Sequence, residues 1–367
     1  AWWRGAQWEA LWGAVAGPAT RPPESKSRTA KARAARVHTL AASGEEGRAL
    51  AAVSAEPPAP RTDHTYKELR DLFPGSASGG VPLPSQPLPH DANFQKEVAE
   101  ETKKLLKKPA KLSAPGLFGT RLEHLATCSS DPVASDLLAW AAALLATGDA
   151  PSGVFKALRT GEVVGLSKTD GGVRPLVIGA CLRRLALRAL VRVRREAVAA
   201  AVGSFQYGVG RPAGADRLAR ALRVLAEKQP EDMFIKVDLK TAFQKMDRGL
   251  AVSGLLEQAP ELTNSFQAWY GGSTKHWWRT AGGGFKEIDS HTGFDQGCPL
   301  AAAAFSAGLK KALDTFWPRA YALDPRVRLY AYLDDMYVVC SRDASLAVLC
   351  ALEESLTAAS LEPKATK

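Results

Sequence analysis

Two adjacent aspartates, Asp334 and Asp335, interrupt an otherwise apolar, β-prone run over residues 331–340. Residues 327–332 and 336–340 on either side carry Val, Leu, Tyr and Met, so the run reads as a tight hairpin with carboxylates at its tip. This constrains the chain strongly. Like charges side by side repel, and burial beside apolar strands raises at least one of their pKa values. Such a pair persists where a cation neutralises it, and a hard divalent ion takes carboxylate oxygens while leaving positions for phosphate. Asp is also common in ordinary surface turns, but such a turn does not need flanks this apolar.

A third carboxylate supports the cation reading. Residues 233–237 alternate as a short strand that ends at Asp238, and Phe243 opens a turn or helix five residues on. A strand-end Asp together with a double Asp on a hairpin suits two-metal phosphoryl transfer. One ion activates the attacking hydroxyl, and the other holds the phosphates, roughly 3.5–4 Å away. Each motif alone is weak; in this order the two reinforce each other.

Four further blocks frame these aspartates. Ser113-Ala114-Pro115-Gly116 opens the first, and Gly165-Leu166-Ser167-Lys168 runs through Gly171-Gly172-Val173-Arg174-Pro175 in the second. The third is Phe205-Gln206-Tyr207-Gly208 and the fourth Gly293-Phe294-Asp295-Gln296-Gly297-Cys298-Pro299-Leu300. The second block is a hairpin signal with Gly at the turn. Lys168 and Arg174 on its arms offer a point charge and a bidentate fork, or merely a solvated charged hairpin. Gly297 lets backbone approach a substrate closely, and Pro299 suits the first turn of a helix over residues 301–313.

In this order the blocks resemble the reverse transcriptase domain of non-LTR retrotransposons, from about Ser113 to the end. The resemblance implies an α+β fold, the palm and fingers of a right-hand polymerase, with the thumb absent from this chain. It implies RNA-directed DNA polymerase activity, with Asp238, Asp334 and Asp335 as catalytic ligands for Mg²⁺ or Mn²⁺. Lys168 and Arg174 would then grip the triphosphate, and Gln296 and Gly297 would position template or nucleotide. Phe243 would be the ring that excludes a ribose 2′-hydroxyl, although most Phe residues at such a junction are simply core. The last segment, residues 360–367, matches the family's lysine element loosely through Lys367. Ala301 to Ala304 replace the family's usual Ser-Pro step, which puts only fine template contacts in doubt. The implied partners are an RNA template, a DNA primer and dNTPs. A noncatalytic polymerase-like remnant or nucleic-acid scaffold is the alternative.

Charge agrees with a polyanionic partner: the 367 residues carry a formal net charge of +10. Nine Lys or Arg lie between Arg159 and Arg195, against Glu162 and Asp170. A single helix is expected over residues 181–202, with Arg184, Arg188, Arg192 and Arg195 on the face opposite its apolar stripe, available to phosphates. Five scattered cysteines with no C-x-x-C suggest reduced thiols and a nuclear or cytoplasmic location. The longest apolar run, residues 137–146, is about half of a membrane span. The opening Ala1-Trp2-Trp3-Arg4 reads as neither signal peptide nor anchor, so the chain is expected to be a fragment.

Residues 1–90 are expected to be an Ala/Pro/Arg-rich segment, largely disordered or linker. Trp2, Trp3, Trp8 and Trp12 could form a short amphipathic helix there. Residues 91–367 are expected to hold the fingers and palm.

Overall fold

Alternation of apolar and polar residues sorts the strands of this computed structural model into two sheets. It describes residues 26–75, 88–89, 91–110, 113–168 and 171–365. The Trp-rich start and Lys367 lie outside these residues.

The first sheet joins β1 (Gly161–Ser167), β2 (Val173–Gly179), β4 (Thr274–Arg279) and β5 (Phe285–Ser290) in the order β2-β1-β4-β5. β1 and β2 form the expected hairpin, with Gly171 at φ +87° in its turn. The β4–β5 hairpin then docks on β1 in parallel, pairing Glu162 with Trp277 and Val163 with Trp278. Beyond the end of β4, residues 57–59 take over that edge of β1. The Ala59 N–H donates to the Gly165 carbonyl (2.8 Å), and the Ser167 N–H to that of Pro57 (2.9 Å). A helix at Asp63–Asp71 then delivers Leu69, with Phe73 just beyond it, to a small core of Val163, Val177, Trp278 and Ile288.

The linker expectation for the N-terminal ninety residues therefore needs correcting over 26–73. Helices Lys26–Ala42 and Glu46–Val53 form there, and residues 57–73 are built onto the first sheet. Composition hid this, because few apolar residues are needed when the partner surface is supplied by β1 and β2.

The second sheet is wholly antiparallel: β6 (Arg328–Tyr332), β7 (Asp335–Cys340), β3 (Met233–Leu239) and β8 (Pro363–Ala365), ordered β6-β7-β3-β8. Met336, Val338 and Cys340 are fully buried on one pleat, which turns Asp335 and Tyr337 to the other. Behind the sheet lies the main core, which includes helix Pro299–Leu313. Its small side chains let it approach helix Arg248–Leu256 closely. A Cβ at Gly308 would sit 2.6 Å from Met246 Sδ and 2.9 Å from Ala251 Cβ. No single helix among the described residues is long and apolar enough to cross a membrane.

The helix expected over 181–202 is two helices, Cys181–Val193 and Arg195–Val202. At the break, Arg194 has φ −100° and ψ 25°. Its guanidinium bonds Glu97 (2.7 Å) and Glu261 and lies over the Phe94 ring at 4.1 Å. Tertiary partners on helix Ala92–Lys107 and beside Leu262 end a run whose own propensity would have continued.

Candidate active site

The carboxylates meet at one end of the antiparallel sheet. Tyr332 pairs with Asp335, leaving Leu333 and Asp334 as a two-residue hairpin turn. Leu333 holds the left-handed conformation (φ +57°) that such turns ordinarily give to Gly or Asn. β3 pairs with β7 through Val237↔Met336, so one further step of that register brings Asp238 opposite Asp335. Both then share the pleat that faces away from the core. Directly opposed like charges are unfavourable. Burial first, then the carboxylates of Asp335 and Asp238, push the Asp334 carboxyl above its usual value, while its own backbone hydrogen bond and, last, Arg174 pull it down. Lys236 answers part of the excess charge, its Nζ lying 3.1 Å from Asp335 Oδ1.

Arg174, on the β1–β2 hairpin, lies near enough to act electrostatically on Asp334. Arg174 is exposed and 3.5 Å from Glu56, so the N-terminal segment reaches this face as well. Lys168 is exposed at the other arm of the turn, its N–H donating to the Gly172 carbonyl (2.8 Å).

Residues 293–297 bridge the two sheets. The Phe294 N–H donates to the Phe243 carbonyl (2.7 Å), and the Gln296 carbonyl accepts from the Val177 N–H (2.8 Å). Gly297, at φ +114°, lies against β2: a Cβ there would meet the Val177 carbonyl at 2.7 Å. Its close approach is therefore to this chain's own strand, where a substrate was expected. Gln296 Oε1 is buried with no hydrogen-bond partner among the described residues. Phe243 is only 6 % exposed and stacks on Phe305 with centroids 4.5 Å apart, which places most of its ring in the core.

The four-arginine face does not exist as expected. Arg184 is partly buried and donates to the Ala114 carbonyl. Arg192 pairs with Glu101 at 3.2 Å, and Arg195 belongs to the next helix. Only Arg188 and Arg195 remain as exposed cations without an ion pair among the described residues. A different helix, Gly214–Lys228, carries Arg217, Arg220 and Arg223 exposed and likewise without ion pairs among the described residues, alongside β6.

A buried polar network behind the site went unread in the sequence. Arg183 is 2 % exposed, and its guanidinium donates to Asp295 Oδ2 (2.9 Å), the Arg159 carbonyl (2.8 Å) and the Tyr270 hydroxyl (3.2 Å). It also lies 5.1 Å from the Trp269 ring centroid. His276, fully buried, accepts from the Gly161 N–H at Nδ1 (3.1 Å). That leaves Nε2–H to donate to Asp295 Oδ1 at 3.0 Å. Burial alone would raise the Asp295 carboxyl, but His276 and Arg183 together hold it well below the usual carboxylate range. Asp295 thus anchors the segment that carries Gln296 to β4 and helix Cys181–Val193, and through His276 to β1. The one available signal was an acid inside an otherwise apolar block.

For a metal, the donors are all carboxylate oxygens, which suits a hard ion such as Mg²⁺ or Mn²⁺. The upward push on Asp334 is what a cation would relieve. As they stand, no three His, Cys, Asp or Glu side chains among the described residues are grouped to hold an ion. The fit is therefore one of chemistry and convergence.

Comparison with curated proteins gives no match. Among protein families, residues 166–367 match the one described as reverse transcriptase (RNA-dependent DNA polymerase). The match covers more than half of the chain, from within β1 through the aspartate hairpin to the end. With its palm-like sheet, its fingers hairpin and its converging aspartates, the chain belongs to the reverse transcriptase family.

Proposed function

We propose that this chain is the RNA-directed DNA polymerase of a non-LTR retrotransposon, adding deoxynucleotides to a primer 3′-hydroxyl on an RNA template. The observation that supports this reading is that the β3–β7 register carries Asp238 to the level of Asp335, next to the turn that holds Asp334, with Asp335, Asp238 and Arg174 all acting electrostatically on Asp334. Mg²⁺ or Mn²⁺ held by these three aspartates would supply activation of the hydroxyl and stabilisation of the leaving pyrophosphate. Arg174 and Lys168 contribute the fixed positive charge that receives the triphosphate. Gln296 and Gly297 are proposed to position template or nucleotide. The location proposed is the nucleus or cytoplasm, where the five free cysteines stay reduced.

Primer extension by the full-length protein on matched RNA and DNA templates tests the reading. Extension on RNA with Mg²⁺ or Mn²⁺ is the expected result. Binding of template without extension would make the chain a noncatalytic scaffold.

Sugar selection by Phe243 is the finer proposal. The small exposed part of the ring is all that can meet an incoming sugar. Phe243→Ala is expected to raise the ratio of ribonucleotide to deoxynucleotide incorporation. It also truncates a core ring, at a cost of about 3–5 kcal/mol. A fall in Tm with an unchanged ratio would leave Phe243 as a core residue alone.

For the template, Arg217, Arg220 and Arg223 are better placed than the arginines first expected. Each phosphate contact on a single strand contributes about 0.7 to the slope of log K against log salt. Replacing all three by Gln should therefore reduce the slope of RNA binding by about 2. An unchanged slope would return this helix to a solvated surface.

A further inference from the structure

We propose that Gln206 is a positioning residue: its buried amide clamps the turn that carries Asp334, holding Leu333 in its left-handed conformation. The proposal rests on the polymerase reading for its consequence, though not for its geometry.

Gln206 is fully buried, an expensive place for a primary amide unless every polar atom is engaged. Its Oε1 accepts from two backbone N–H groups, those of Leu333 and Gly208, both at 2.8 Å. Two backbone donors on one atom fix the amide orientation, since only the oxygen can accept. Nε2 then donates to the Leu333 carbonyl at 3.2 Å. One side chain thus grips both backbone polar groups of the single residue that precedes Asp334.

The backbone around it serves the same contact. The Tyr207 N–H donates to the Ala331 carbonyl (2.7 Å), and the Ala331 N–H to that of Phe205 (2.9 Å), laying residues 205–207 alongside β6. Gly208 admits the approach: a Cβ there would lie 2.8 Å from the Leu333 nitrogen and 2.9 Å from its Cγ. Leu333 has no intrinsic reason to sit at φ +57°, because its Cβ opposes that conformation. The amide clamp supplies the reason. Relaxation of Leu333 would rotate the next peptide and swing the Asp334 carboxylate away from Asp335 and Asp238.

The test uses the full-length protein and the variants Gln206→Leu and Gln206→Leu/Leu333→Gly. Amide hydrogen exchange is read on peptides covering 331–336 and, as an internal reference, helix Pro299–Leu313. Gln206→Leu is expected to raise exchange at the turn at least tenfold while the helix stays protected. Primer extension is expected to lose roughly 30-fold in kcat with the dNTP KM changed less than threefold. Glycine accepts positive φ without strain, so the double variant should recover part of the lost kcat although the amide is still missing. Unchanged exchange at the turn, or equal loss of protection in turn and helix, would overturn the clamp. A wild-type protein that extends no primer would defeat the polymerase reading, while the exchange data would still decide the clamp.

Discussion

Asp334→Asn is expected to abolish primer extension while leaving the protein as stable as the wild type at pH 7, or more so. The two effects have one cause. Asp334 is pushed toward its protonated form by burial and by Asp335 and Asp238, with its own backbone hydrogen bond and, more weakly, Arg174 opposing. An amide of the same shape removes that repulsion. It also removes a carboxylate from the proposed metal site, where charge stabilisation of several kcal/mol corresponds to a loss of roughly 10³-fold or more in rate. The sign of the pH dependence follows from linkage. A carboxyl with a raised folded pKa binds protons more tightly in the folded state, so the wild type gains stability as pH falls toward ~4 and loses it as pH rises. The variant lacks that increment. Extension rates and melting curves recorded from neutral pH down into the acid range measure both. Undiminished extension would sink the catalytic assignment. A large drop in Tm would show instead that the charge is stabilising and the electrostatic account wrong.

Asp295→Ala should be the most destabilising single substitution in the site region, at about 3–5 kcal/mol, because it leaves the buried Arg183 guanidinium uncompensated. Arg183 and Asp295 have side-chain exposures of 2 % and 6 %, so water cannot replace the lost partner. Arg183→Leu/Asp295→Leu should recover much of the loss, as replacing a buried pair together is far cheaper than breaking it. Denaturant melts of the single and double variants give the coupling energy. Acid is the second lever. The Asp295 carboxyl is held below its unfolded value, so its contribution is complete above about pH 4 and drains away as pH falls toward the folded pKa. Asp295→Ala should flatten that limb of the stability curve. A loss below about 1 kcal/mol, the range of exposed pairs, would mean that the network is wetter than its burial implies.

The aspartate hairpin was legible because its signal is local. Period-two alternation around 331–340, two charges at the turn and a strand ending at Asp238 are read without knowing any neighbour. The β1–β2 hairpin and the Ala-rich helix over 301–313 were legible for the same reason. The arginine face failed because a helical wheel describes one axis and says nothing of what covers each side. Glu101 and the Ala114 carbonyl, far away in sequence, took up Arg192 and Arg184. Gly297 failed likewise: positive φ and close approach were readable, but whether strand or substrate lay opposite was not.

By itself the sequence determined that this chain makes a carboxylate-tipped hairpin, a second acidic strand and a basic fingers hairpin, because each depends on residues a few positions apart. Only the tertiary structure decided that these meet, and what holds them. Continuing the β3–β7 register sets Asp238 across from Asp335, and the Gln206 amide fixes Leu333 from 127 positions away. Arg183, Asp295 and His276 pair in a dry interior that no one segment encloses. The physical reason is that burial, which sets the strength of every one of these charges and hydrogen bonds, belongs to the packed whole.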